Sequence, residues 1–276
     1  MEAAILGVDF TSAPRRAKPI TAAWGRLRGD TLEITALERL ESFAAFEALL
    51  ARPGPWIGAF DFPFGMPREL VRDLGWPDDW PAMVRHCAHH SRAEFRSLLD
   101  AYRATRAPGN KFAHRATDLP AGSSSPMKLV NPPVALMFLE GAPRLLRAGL
   151  TVPRMHEGDP ARIALEGYPG LLARRITRAS YKSDTRSQQT EARRAVRQQI
   201  VETLERGIDG LHLELHAPIT RELLIDEGSA ENLDAVLCVF QAACAVGRAH
   251  SEFGLPDEFD PVEGWIIGAK VVVRAD

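Results

Sequence analysis

The chain has 276 residues, 45% hydrophobic and 25% charged, with 34 Lys and Arg against 36 Asp and Glu and a formal charge of −2. This is the composition of an ordinary globular protein, and it excludes a collagen, a coiled coil and a disordered polyelectrolyte. The near-neutral total hides a basic cluster within residues 173–197 and acids gathered toward the C-terminal end, so a polyanion partner would be met locally.

Residues 3–8 (Ala-Ala-Ile-Leu-Gly-Val) are a continuous apolar run closed by Asp9, the pattern of a strand buried on both faces. Residues 20–27 and 32–40 are further strands joined by Arg28-Gly29-Asp30, which makes an antiparallel meander. Ser42 caps a helix carrying Phe43, Phe46, Leu49 and Leu50, stopped by Pro53-Gly54-Pro55. A fourth strand, residues 56–60, ends at Asp61. Residues 67–106 read as helical with a stop at Gly75, and residues 107–133, rich in Pro and Gly, as an irregular loop or lid. A helix over 134–146, a short strand over 162–165 closed by Glu166, a polar helix over 187–204, a mostly apolar helix over 230–250 and a last strand over 265–273 complete the chain. The expected fold is a single α/β domain over residues 1–276. Its mixed sheet, three antiparallel strands and then parallel ones, is flanked by helices, with a helical and loop insertion at about residues 67–160.

Two apolar strands end alike, in Val8-Asp9-Phe10-Thr11 and Phe60-Asp61-Phe62-Pro63. Ligands of an open α/β sheet sit beyond the carboxyl ends of its strands, where neighbouring strands about 4.8 Å apart bring two such acids into one site. Two bare carboxylates repel, and hard oxygen donors on rigid strand ends suit Mg²⁺ or Mn²⁺ between them. Glu166 repeats the strand-then-acid pattern before Gly167-Tyr168-Pro169-Gly170, and Asp234 lies in the first turns of the apolar helix, at the edge of its buried face. Taken singly, each acid is ordinary: an Asp after a strand is a common turn residue, and one near a helix N-terminus suits the macrodipole.

The order of strands, helix and acids resembles a ribonuclease H-like fold. More narrowly, Gly-Val-Asp-Phe-Thr-Ser-Ala-Pro (from Gly7), Asp-Phe-Pro-Phe-Gly-Met-Pro (from Asp61), Glu-Gly-Tyr-Pro-Gly (from Glu166), Leu-Asp-Ala-Val-Leu-Cys (from Leu233) and Glu-Gly-Trp-Ile-Ile-Gly (from Glu263) resemble the domain of unknown function 429 family of predicted nucleases. The resemblance runs from residue 7 to about residue 268. It implies that Asp9 and Asp61 hold metal between them, that Asp234 completes the cluster, and that Glu166 and Glu263 are outer or alternate ligands. Asp9, Asp61, Glu166 and Asp234 are then the catalytic acids, and Asp9, Asp61, Asp234 and Glu263 the metal ligands. Two metals roughly 4 Å apart would cleave a phosphodiester to a 5′-phosphate and a 3′-hydroxyl.

Arg174, Arg175, Arg178, Lys182, Arg186, Arg193, Arg194 and Arg197 could face the phosphates of a nucleic acid partner, or be a solvated helix surface. Thr11, Arg115 and Lys182 are the expected substrate contacts, with His114, Arg115 and Asp118 on a mobile lid and Lys182 offsetting a developing negative charge. His86 and His90 share a helical face but lack the further ligands a zinc site needs. Two rival functions remain. Asp9-Phe10-Thr11-Ser12 is compatible with a nucleotide-dependent phosphotransferase, although no glycine-rich phosphate loop follows. A non-catalytic nucleic-acid or protein-binding module would leave the acids as ion pairs. Three cysteines (Cys87, Cys238, Cys244) without a C-x-x-C pair, an apolar run over 235–247 too short for a bilayer and no basic stretch at the N-terminus point to a cytoplasmic protein without a signal peptide or membrane partner.

Overall fold

The predicted meander forms from β1 (Ala4–Asp9), β2 (Ile20–Arg28) and β3 (Thr31–Leu40), paired antiparallel in the computed structural model, which describes residues 4–271. Helix α1 (Phe43–Leu50), whose Ser42 side chain accepts from the Ala45 N–H at 3.2 Å, returns the chain to β4 (Trp56–Phe60), which lies parallel to β1. The insertion carries α2 (Arg68–Asp73), α3 (Trp80–Ala88), α4 (Arg92–Thr105), α5 (Asp118–Ala121) and α6 (Val134–Arg147), followed by the short β5 (Leu150–Thr151). Strand β6 (Asp159–Glu166) pairs parallel with β4 and β5. The chain then runs through α7 (Pro169–Ile176), α8 (Glu191–Arg206), β7 (His212–Leu215), α9 (Arg221–Ile225) and α10 (Glu231–Val246). The sheet order is β5-β6-β4-β1-β2-β3-β7. Among the described residues, no helix is long and apolar enough to cross a membrane.

The chain departs from expectation in four places. Pro169-Gly170 opens α7, a helix absent from the expected elements, because Pro is pre-set for the first helical position. The polar helix α8 begins at Glu191, with the Thr190 side chain capping the Arg193 N–H. Strand β7 extends the sheet beyond β3 by parallel pairing. The expected strand over 265–273 reduces to one parallel bridge between Ile266 and Glu166, residues 272 and 273 lying outside the described ones.

Strand alternation divides the core between two faces. Leu6, Val8, Phe60 and Ala164 pack on the side of the insertion helices, whereas Ile5, Ala23, Ala59 and Leu165 pack against α10 and its neighbours. Gly7 points to the α10 side, where a Cβ would lie 2.2 Å from the Ala235 carbonyl oxygen and 2.3 Å from the Val239 nitrogen. Only glycine lets β1 and α10 meet so closely, and the contact fixes the start of α10 against the end of β1. Gly7→Ala is therefore expected to cost about 1–3 kcal/mol by overpacking. A urea unfolding series checks this, and an unchanged midpoint would refute it.

Candidate active site

Asp9 and Asp61 follow Val8 and Phe60, which are register partners across the parallel β1–β4 pair. The Asp61 N–H donates to the Val8 carbonyl at 2.9 Å and holds the two strand ends together. Since Gly7 and Ala59 face α10, alternation turns Asp9 and Asp61 to that same face. The next residues, Phe10 and Phe62, turn the other way, and their rings meet at 4.6 Å in the insertion-side core. Among the described residues no hydrogen-bond donor reaches either carboxylate.

Asp234, 1% exposed, reaches this face from the first turn of α10. The Tyr181 hydroxyl donates to its Oδ1 at 2.6 Å, and the Lys182 ammonium binds its Oδ2. Burial, reinforced by the Asp234 carboxylate, raises the pKa of Asp9 well above the usual range, against a partial offset from Lys182. Burial likewise lifts Asp61 to about 7, with Lys182 opposing and Asp234 and Glu166 adding to it. Burial disfavours the Lys182 ammonium itself, but Asp234, Tyr181, Asp9 and Asp61 outweigh that and hold it charged. Of the three aspartates only Asp234 is held by a cation, and burial favours the protonated forms of the other two.

Thr21 lies opposite Asp9 in the antiparallel β1–β2 register, so its side chain shares the α10 face. It is fully buried, yet its hydroxyl has no hydrogen-bond partner. Glu231, three residues before Asp234, adds a fourth acid, raised to about 7 by burial and by Glu227. Sequence reasoning passed over both residues. The Glu231-Asp234 spacing on one helix face was the available signal for the acid, whereas Thr21 becomes visible only through strand register.

Two of the expected acids are hydrogen-bonded to other groups. Glu166 pairs in register with Phe60 and turns to the insertion side, the opposite face from Asp9 and Asp61. There Arg115 binds its two oxygens at 2.7 and 2.8 Å, and the Phe64 N–H donates at 2.9 Å. The same guanidinium donates to Asp118 Oδ1 at 2.9 Å, and Arg115 is only 3% exposed. Arg115 is therefore a buried tie between the insertion and β6, which corrects its expected place on a mobile lid. Glu263 accepts from the Arg68 N–H at 2.7 Å and the Ala116 N–H at 2.8 Å, and it does not line the cavity that Asp9 and Asp61 border.

Asp9, Asp61, Asp234, Glu231, Thr11 and Lys182 border one cavity of about 860 Å³, the paired Glu166 and Arg115 reach its wall from the insertion side, and Lys18, Arg174 and Arg178 also line it. The rest of the basic cluster is dispersed. Arg197, 2% exposed, donates to the Ile225 and Tyr181 carbonyls at 2.6 and 2.7 Å, while Arg175 pairs with Asp209 and Arg194 with Asp226.

The donor set suits a hard divalent cation. Three carboxylates converge on one face, two without hydrogen bonds, beside an orphaned buried hydroxyl and an ammonium that supplies positive charge. Their oxygens do not all lie within 4.8 Å of one another, as expected of like charges sharing a single lysine. No family model, no curated protein and no solved structure matches this chain.

Proposed function

We propose that this protein is a divalent-metal-dependent nuclease of ribonuclease H-like fold that hydrolyses phosphodiesters at Asp9, Asp61 and Asp234. One observation carries this reading: two unbonded carboxylates end neighbouring parallel strands on the face where a helix delivers a third. The order β3-β2-β1-β4-β6, with acids on the first and fourth strands and on a late helix, supports the fold. Asp9, Asp61 and Asp234 would hold Mg²⁺ or Mn²⁺, which when bound acidifies water and offsets charge on a phosphate.

The chain's own residues do the rest. The Tyr181 hydroxyl fixes Asp234 through Oδ1, and the Lys182 ammonium holds Oδ2, the oxygen that a metal would share with it. The Lys182 ammonium, on a flexible stem at the cavity, can meet a phosphate oxygen and offset the charge that develops there. Lys18, Arg174 and Arg178 offer further cations to flanking phosphates, and Thr11 a hydroxyl.

The test is incubation of the purified protein with end-labelled single-stranded, duplex, hybrid and branched oligonucleotides plus Mn²⁺. The expected products carry 5′-phosphate and 3′-hydroxyl ends, and a chelator stops the reaction. Binding of Mn²⁺ with no cleavage of any substrate would favour a non-catalytic binding module, and ATP hydrolysis without nucleic acid a phosphotransferase.

A further inference from the structure

We propose a second metal site, for a zinc-class transition metal, at the β3–β7 edge of the sheet, built from Glu33, Glu214 and His216. Strand β7 and the residue after it read His212-Leu213-Glu214-Leu215-His216. Leu213 is buried in the α10-side core, so alternation sends Glu214 and His216 to the other face. Glu33 lies directly opposite Glu214 in the parallel β3–β7 register and shares that face. The trio therefore occupies the opposite face of the sheet from Asp9, and near the start of β3, far from the strand ends that carry the aspartates.

The geometry suits an ion. His216 Nε2 lies 3.4 Å from Glu214 Oε1 and 3.8 Å from Glu33 Oε1, and one ligand atom from each residue falls within 4.8 Å of the other two. Ligands held about 2.0–2.1 Å from a tetrahedral ion stand roughly 3.3–3.5 Å apart, close to these separations.

Two further observations point the same way. His216 Nε2 is shielded from water and has no hydrogen-bond partner, although the ring as a whole is half-exposed. Glu33 is only 9% exposed, and its carboxylate accepts no hydrogen bond among the described residues. Arg28 Nε stands 3.3 Å from Glu33 Oε2, which leaves Oε1 to the trio. Two glutamates directly opposite on adjacent strands repel, and a buried ring nitrogen without a partner costs free energy. One cation answers both.

The imidazole selects the metal. Mg²⁺ prefers oxygen ligands and keeps its waters, whereas a nitrogen with two carboxylates suits Zn²⁺ and its neighbours in the first transition row. With three protein ligands and two half-exposed side chains, a fourth position stays open to water. Such an ion would pin the edge strand β7 to β3.

The experiment is a Zn²⁺ titration of the chelator-treated full chain by calorimetry, in excess Mg²⁺, followed by Co²⁺ substitution read by visible absorption. Wild type and Asp9→Asn are expected to bind one Zn²⁺ each at this site. His216→Ala, and separately Glu214→Gln at an exposed position, should weaken it by more than about 100-fold, beyond the 10- to 100-fold cost of an outer-shell change. Circular dichroism of each variant reports its folding. Zinc uptake unchanged in folded His216→Ala, uptake lost in Asp9→Asn, or none in the wild type would each overturn the proposal.

Discussion

In metal-free buffer at pH 8, Asp61→Asn is expected to melt at a higher temperature than the wild type, while taking up no Mg²⁺ or Mn²⁺ at the aspartate centre and losing at least about 1,000-fold in phosphodiester cleavage. The sign follows from linkage. Burial raises Asp61 from 3.8 in the unfolded chain to about 7 in the folded one, so the folded state binds the proton more tightly. The stability this gives is fully present below about pH 4, falls as the pH rises, and is gone above about 7. Asparagine has no charge to bury and escapes that loss, whose upper bound is about 4 kcal/mol at 1.36 kcal/mol per unit. A divalent cation should reverse the order of melting temperatures, since it stabilises the wild type alone. Calorimetric scans at pH 5 and pH 8, with and without Mg²⁺, make the comparison. Equal melting at pH 8 without metal would contradict the burial of that charge, and Mg²⁺ stabilisation of the variant would remove Asp61 from the ligand set.

Arg115→Ala should be the most destabilising single change outside the apolar core, at roughly 3–5 kcal/mol, because it strands Glu166 and Asp118 as buried carboxylates without their counter-ion. For a chain of this size that lowers the melting temperature by on the order of 10 °C. Glu166→Gln keeps the shape and relieves one charge, so placing it on the Arg115→Ala background should recover part of the loss. In the wild-type background Glu166→Gln should reduce activity far less than Asp9→Asn. A loss of activity equal to that of Asp9→Asn, with an unchanged melting temperature, would restore Glu166 as a catalytic acid.

Much of this architecture could be read from the chain itself, where periodicity was strong. The apolar run before Asp9, the Arg28-Gly29-Asp30 turn, the Ser42 cap and the apolar residues of α10 each had one satisfactory structural reading. The pairing of Asp9 with Asp61 on neighbouring strands was legible for the same reason, since both acids close buried runs. The face each acid takes was not. Glu166 closes its strand just as Asp61 does, but register puts it beside Phe60 and not beside Ala59, a difference of one residue that local sequence does not encode. The basic stretch misled because arginine serves equally as a phosphate contact and as a buried donor to carbonyls, and Arg197 does the second. Strand β7 escaped notice because four residues of alternating polar and apolar character carry little signal without the partner strand they lie against.

The alternation of Asp9 with Phe10, and of Asp61 with Phe62, has a consequence for how this chain can change. Core and cavity are served by consecutive positions of the same two segments, so lengthening either segment by one amino acid would exchange their occupants. An aromatic ring would then project into the charged hollow and a carboxylate into oil. Variation by insertion or deletion is thereby barred from these two stretches, and any drift in specificity has to come from the loops that border the opening.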